Sequence, residues 1–123
     1  MRMRIDVLVV EDNEDVRTSL VQVLRTAGYR VAEAEDGHAA LQALDRVQPR
    51  MILLDLQMPR LGGVEFLQRL QEPPPVVVVS ALPEYRVETS TRVPGIRAYL
   101  QKPVQPASLI EVVVDTLSSP SAP

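Results

Sequence analysis

The side chains most able to do chemistry are Glu11 and Asp12, Asp55, Ser80 and Lys102, and each sits at the end of an apolar run. Val7-Leu8-Val9-Val10 precedes the acid pair and Met51-Ile52-Leu53-Leu54 precedes Asp55. Val76-Val77-Val78-Val79 precedes Ser80, and Ala98-Tyr99-Leu100 is followed by Gln101 and Lys102. If the three carboxylates converge they repel, each pair by about 4 kcal/mol at ~4 Å and an effective dielectric near 20. A divalent cation with oxygen ligands is the natural compensation, and Mg²⁺ suits a few carboxylates completed by waters and a phosphate. Lys102 then neutralises part of the remainder, and Ser80 adds a hydroxyl donor. Such a set of parts suits phosphoryl transfer, with an Asp as nucleophile becoming an aspartyl phosphate. Metal and lysine would offset charge on the equatorial oxygens, and positioning would supply most of the rate.

Each member alone says little. An acid pair after a strand is more often a helix cap, and a lone Asp there is usually turn chemistry. The ordered joint occurrence on a strand–helix repeat reverses those readings. Lys102 is also the only lysine among 13 basic residues. That selects a site for a compact ammonium where a planar guanidinium would not fit.

The elements that must position these groups follow from patterning. Ile5 to Val10 reads as a buried strand, and Asp12 or Asn13 caps a helix with Val16, Leu20, Val23, Leu24 and Ala27 on its apolar face. Gly28 stops that helix. Tyr29 to Ala34 alternates as a strand, and Asp36-Gly37 marks a turn. His38 to Val47 reads as a helix ended by Pro49. Met51 to Leu54 is a third strand, followed by a loop through Pro59 and Gly62-Gly63. Val64, Leu67 and Leu70 mark a short helix before Pro73-Pro74-Pro75. Val76 to Val79 is a β-branched strand. A short or irregular fourth helix is expected between Leu82 and Gly95, where Thr89, Ser90, Thr91 and Val93 are poor helix formers. Ile96 to Leu100 is the last strand. Pro106 to Leu117 is the last helix, with Leu109, Ile110, Val113, Val114 and Leu117 inward.

Five alternations with continuous apolar strands predict a parallel sheet covered by helices on both faces. Ligands of such sheets sit beyond the carboxyl ends of the strands. At 123 residues and 46% apolar content, one domain with a full core is expected. A net charge of −3 offers no basic footprint for nucleic acid or an anionic membrane. With no cysteine, disulfides and thiolate metal sites are excluded. No apolar stretch reaches the roughly 20 residues of a membrane span. Ile5-Asp6-Val7 interrupts any signal-peptide core, so a cytoplasmic protein is expected.

These motifs together resemble the receiver domains of bacterial two-component response regulators, the CheY-like superfamily, over nearly the whole chain. Val7 to Asn13 resembles the family's first strand and metal-binding acid pair. Leu53-Leu54-Asp55-Leu56-Gln57-Met58-Pro59 with Gly63 resembles the phosphoacceptor segment. Ser80-Ala81 matches the hydroxyl position, and Tyr99-Leu100-Gln101-Lys102-Pro103 the aromatic-x-x-Lys-Pro signature. Asp36-Gly37 with Ala39 and Ala40 fits the second turn and helix. The resemblance implies a flavodoxin-like, doubly wound five-stranded sheet of order 2-1-3-4-5 with five helices. It implies a receiver domain over 1–118, with 119–123 a Ser/Pro-rich tail or linker stub.

By the same resemblance, Asp55 accepts a phosphoryl group from a sensor histidine kinase, a phosphotransfer protein or a small phosphodonor. Glu11, Asp12, Asp55 and the Gln57 backbone carbonyl bind Mg²⁺. Lys102 pairs with the phosphoryl group, Ser80 moves to hydrogen-bond it, and Tyr99 swings inward as the switch aromatic. Pro103 is expected to be cis. The protein would phosphorylate itself from phosphohistidine and slowly dephosphorylate, without being a turnover enzyme. Its partner-binding surface for an output protein or domain would be the face of fourth helix, last strand and last helix. It would be a monomer or a phosphorylation-dependent dimer, with no direct nucleic-acid or membrane contact.

The chain departs from the family in a short Asp55–Ser80 segment, in the triple proline, and at Val93-Pro94-Gly95-Ile96, so the output surface is expected to be altered. The alternative is a pseudo-receiver acting as a constitutive interaction module. Such proteins usually lack an acid, the acceptor or the lysine, and all are present here. A haloacid-dehalogenase-type hydrolase would carry a second Asp where Gln57 stands. A flavodoxin-like nucleotide binder would meet phosphate repulsion at Glu11-Asp12-Asn13-Glu14. His38 is assigned no phosphotransfer role.

Overall fold

A computed structural model describes residues 1–58, 60–82 and 95–118. Among them the elements run β1 (Met3–Val10), α1 (Glu14–Thr26), β2 (Val31–Ala34), α2 (Gly37–Ala43) and β3 (Val47–Asp55). There follow α3 (Gly63–Gln68), β4 (Val76–Ser80), β5 (Ile96–Gln101) and α4 (Pro106–Ser118). The short helix expected between Leu82 and Gly95 falls on residues outside those described, as does the 119–123 tail, so α4 is the helix expected as the last.

All strand pairs are parallel, in the order β2-β1-β3-β4-β5 expected from the sequence. The unbroken apolar runs follow from burial on both faces. Leu8, Val10, Ile52, Leu54, Val76 and Val78 turn toward α2 and α3, around the fully buried Phe66. Their neighbours Val7, Val9, Met51, Leu53, Val77 and Val79 turn toward α1 and α4, around Leu24, Leu109 and Val113. Alternate side chains point to opposite faces of a strand, so a sheet covered twice needs apolar residues at every position.

Three expectations are corrected. The second helix stops at Ala43, with Leu44 as its C-cap, and Val47 already opens β3. Pro49 therefore ends no helix; it lies buried inside β3 opposite Ile5. Proline is tolerated there because β3 has β1 alone as a neighbour at that end, β4 joining only at Ile52↔Val76. On α1 the sheet-facing residues are Leu20, Val21 and Leu24, while Ala27 is the exposed C-cap. On α4, Val114 is 45% exposed, and Thr116 is buried instead. Its hydroxyl donates to the Val112 carbonyl at 2.7 Å, which satisfies the polar group within the helix's own turn.

The connection after β3 is held close to the strand. A Cβ added at Gly63 would lie 2.7 Å from the Asp55 carbonyl oxygen and 2.8 Å from Leu56 Cα, both backbone atoms that cannot turn aside. Gly63→Ala should therefore destabilise the fold by about 1–3 kcal/mol. Urea unfolding of the variant checks this, and wild-type stability would refute the close approach.

Charge is uneven along the strands, although Asp6, Asp45 and Glu72 sit toward their start and Arg17, Arg60 and Lys102 at their finish. Arg2 and Arg4 open β1, while Arg30, Arg46 and Arg69 lie in the stretches leading into β2, β3 and β4. Glu11, Asp12, Glu14 and Asp15 follow β1, Glu35 and Asp36 follow β2, and Asp55 closes β3. In an all-parallel sheet these groups occupy opposite ends.

Candidate functional site

Strand register brings the chemistry-bearing residues to one rim. Val10 stands opposite Leu54 and Asp55 opposite Val79, so Glu11 and Asp12 leave the sheet beside Asp55. Asn13 caps α1, its side-chain oxygen accepting from the Val16 N–H at 3.0 Å, which turns the chain sharply after the acid pair. One oxygen from each of Glu11, Asp12 and Asp55 lies within 4.8 Å of the others. Glu11 and Asp55 are buried, at 1% and 3% exposure, while Asp12 faces solvent.

Lys102 reaches this cluster from the turn after β5. Its Nζ lies 2.7 Å from Glu11 Oε1 and 3.4 Å from Asp55 Oδ2. The Lys102-Pro103 bond is cis, as expected from the resemblance. The Lys102 N–H donates to the Ser80 carbonyl at 2.8 Å, tying the ends of β4 and β5 together. Asp55 Oδ1 accepts from the Gln57 N–H at 2.9 Å, and Glu11 Oε2 accepts from the Asn13 N–H at 3.2 Å.

Burial pushes the Asp55 carboxyl up to about 7; the Gln57 N–H opposes this, nearby Glu11 adds to it, and Lys102 offsets part. Burial alone would pull the Lys102 ammonium down, but Glu11 and Asp55 hold it above its ordinary value. One ammonium against three carboxylates leaves the pocket short of positive charge. Glu11 Oε1 is buried without an aligned hydrogen-bond donor, its contact with Lys102 being an ion pair. An all-oxygen, carboxylate-rich donor set with a residual negative charge fits Mg²⁺.

The remaining expected residues stand in other arrangements. Ser80 is fully buried, and its hydroxyl accepts from the Leu82 N–H at 3.1 Å, which closes the turn after β4. Tyr99 is half-buried on β5, opposite Val78, and packs against the α2/α3 side of the core. Gln57 is exposed at the mouth. His38 is exposed on α2.

Residues 7–114 match the family model of the response regulator receiver domain. The chain belongs to this family. Among its curated relatives, the receiver domain is 41% identical over 108 residues to a protein-glutamate methylesterase/protein-glutamine glutaminase of Myxococcus xanthus, covering 83% of this chain and 31% of that protein. It is 40% identical over 111 residues to the transcriptional regulatory protein PrrA of Mycobacterium tuberculosis, covering 85% of this chain and 46% of that protein. The chain thus spans less than half the length of these relatives. The Vibrio cholerae chemotaxis protein CheY4 has a similar structure, with a TM-score of 0.82 and 25% identity, covering 95% of this receiver domain and all of that chain. Receiver domains of this family generally use Mg²⁺, and the acid cluster here suits it. No helix among the described residues is long and apolar enough to cross a membrane.

The receiver domain also contains site neighbours that patterning did not single out. Arg17, only 13% exposed, donates through Nη1 to the Glu11 carbonyl at 2.9 Å and through Nε to Glu33 Oε1 at 3.1 Å. Arg60 adopts a left-handed conformation (φ 62) in the connection after β3 and pairs with buried Asp36 at 3.4 Å. A lone arginine in a helix or loop carries no signal in sequence; only the fold supplies its partners.

Proposed function

We propose that the receiver domain is a phosphorylation-dependent switch in which Asp55 takes a phosphoryl group from a sensor histidine kinase or phosphotransfer protein. One observation carries the reading: a buried aspartate at a strand end lies within ion-pair distance of a lysine and in one cluster with two further acids. An Asp55 oxygen attacks phosphorus, the O–P bond forms as the P–N bond breaks, and the imidazole leaves with the electron pair. Gln57 N–H and Lys102 hold the two carboxylate oxygens in place before attack. Glu11, Asp12, Asp55 and the Gln57 carbonyl would hold Mg²⁺. When bound, the ion supplies charge neutralisation at the phosphoryl oxygens. Lys102 then pairs with the phosphoryl group, Ser80 exchanges its Leu82 partner for it, and Tyr99 moves inward. That movement alters the surface of β5 and α4, which an output partner reads together with the expected fourth helix. Residues 1–118 form the domain, 119–123 serve as tail or linker, and the setting is cytoplasmic.

The test is intact mass after incubation with acetyl phosphate and Mg²⁺. One phosphoryl group should be gained, and none should be gained by Asp55→Asn or in excess chelator. A folded wild-type protein of unchanged mass would instead favour the pseudo-receiver reading.

A further inference from the structure

Arg17 sits in α1 one residue beyond the first turn, where a cation opposes the helix dipole. Its backbone N–H donates to the Asn13 carbonyl, so it lies directly above the cap. Its side chain is mostly buried and forked between two acceptors, the Glu11 carbonyl just past β1 at 2.9 Å and Glu33 Oε1 on β2 at 3.1 Å. The Glu11 carbonyl belongs to the planar peptide that joins Glu11 to Asp12. Holding that oxygen fixes the orientation of the plane, and with it the direction in which Asp12 leaves.

Glu11 is otherwise well anchored. Its N–H donates to the Ala34 carbonyl at 3.1 Å, and its carboxylate meets Asn13 N and Lys102. Asp12 is not: its carboxylate is exposed and takes no hydrogen bond or ion pair among the described residues. Its placement near the other two carboxylates thus depends on the backbone that Arg17 holds. We propose that Arg17 is a positioning residue that presets the Glu11–Asp12 peptide for cation binding, a role resting on the reading of Glu11, Asp12 and Asp55 as Mg²⁺ ligands. The two acceptors are met by separate nitrogens, Nε and Nη1, set in one rigid plane, whereas a lysine would bring a single nitrogen on a flexible stem to both.

The alternative effect of Arg17 has the opposite sign. As a bare positive charge beside the pocket it would repel Mg²⁺, so its removal would tighten binding. Calorimetric Mg²⁺ titration of wild type, Arg17→Met and Arg17→Lys separates the two. Loss of the preset geometry should raise the Mg²⁺ dissociation constant roughly 10-fold or more in both variants, the scale of outer-shell effects at metal sites. Wild-type or tighter affinity in Arg17→Met, or wild-type affinity in Arg17→Lys, overturns the proposal. Should the methionine variant not fold, the lysine variant alone decides. Amide exchange without metal gives an independent reading. The Asn13 amide, which donates to Glu11 Oε2, should exchange faster in the variants by more than any fall in global stability accounts for, and an unchanged rate would count against the role. A wild-type protein that binds no Mg²⁺ defeats the ligand assignment itself, whereas wild type and variants binding equally defeat only the role of Arg17.

Discussion

Replacing Lys102 with methionine should cost the metal-free protein roughly 3–5 kcal/mol at pH 8, the scale seen when one partner of a buried ion pair is removed. Methionine keeps the length of the chain, so little packing is lost. What disappears is the ammonium 2.7 Å from Glu11 and 3.4 Å from Asp55, both carboxylates being almost fully buried. Two like charges then share the pocket with nothing between them. The protein has one escape, which is to protonate a carboxyl, so the cost should shrink at pH 5. Saturating Mg²⁺ should restore much of it at pH 8 through binding to the folded form. Urea unfolding at both pH values, with and without Mg²⁺, measures each quantity. A variant as stable as wild type in chelator at pH 8 would show that Lys102 does not neutralise the pocket.

The second large effect is a stability that falls as pH rises. Asp55 titrates near 7 in the folded chain against 3.8 for the ordinary group. Between these values the folded state keeps a proton that the unfolded state releases. Linkage then requires stability to decline as pH rises from about 4 to 7, and to level off above. The full displacement corresponds to about 4 kcal/mol at most. Lys102, whose pKa is raised from 10.5, stays charged throughout this window and contributes a constant amount there. Asp55→Asn should remove the decline, and the difference between the two pH profiles isolates the one group. Mg²⁺ should remove it too, since the ion favours the ionised form. Parallel profiles for wild type and Asp55→Asn in chelator would sink this account.

The strands and the rim they carry were legible because both depend on short-range features. Doubly covered strands must be apolar throughout, so Val7–Val10 and Val76–Val79 are visible as runs, and the polar residue ending each run must emerge at the sheet's edge. Glu11 and Asp55 followed from that alone, while Lys102, one residue past Gln101, stood out as the only lysine in the sequence. What could not be read depends on neighbours remote in sequence. Pro49 looks like a helix stop until β4 is known to begin too late to pair with it. Thr116 is buried and Val114 exposed because Leu109, Val113 and Thr116, at i, i+4 and i+7, share the face of α4 that meets the sheet, whatever their hydropathy. Arg60 and Arg17 acquire meaning only from Asp36, Glu11 and Glu33, which lie on other segments.

Among the described residues, arginines outnumber acids at the start of the strands and acids outnumber cations at their finish, which gives an electric moment along the sheet. A charged protein approaching from afar feels this moment before any surface detail, and the torque it exerts turns the domain during encounter. A partner with a positive patch is thus met by the carboxylate rim first, while one bearing a negative patch is turned toward the opposite pole. The preference operates over about 10 Å at ordinary ionic strength and fades as salt is added.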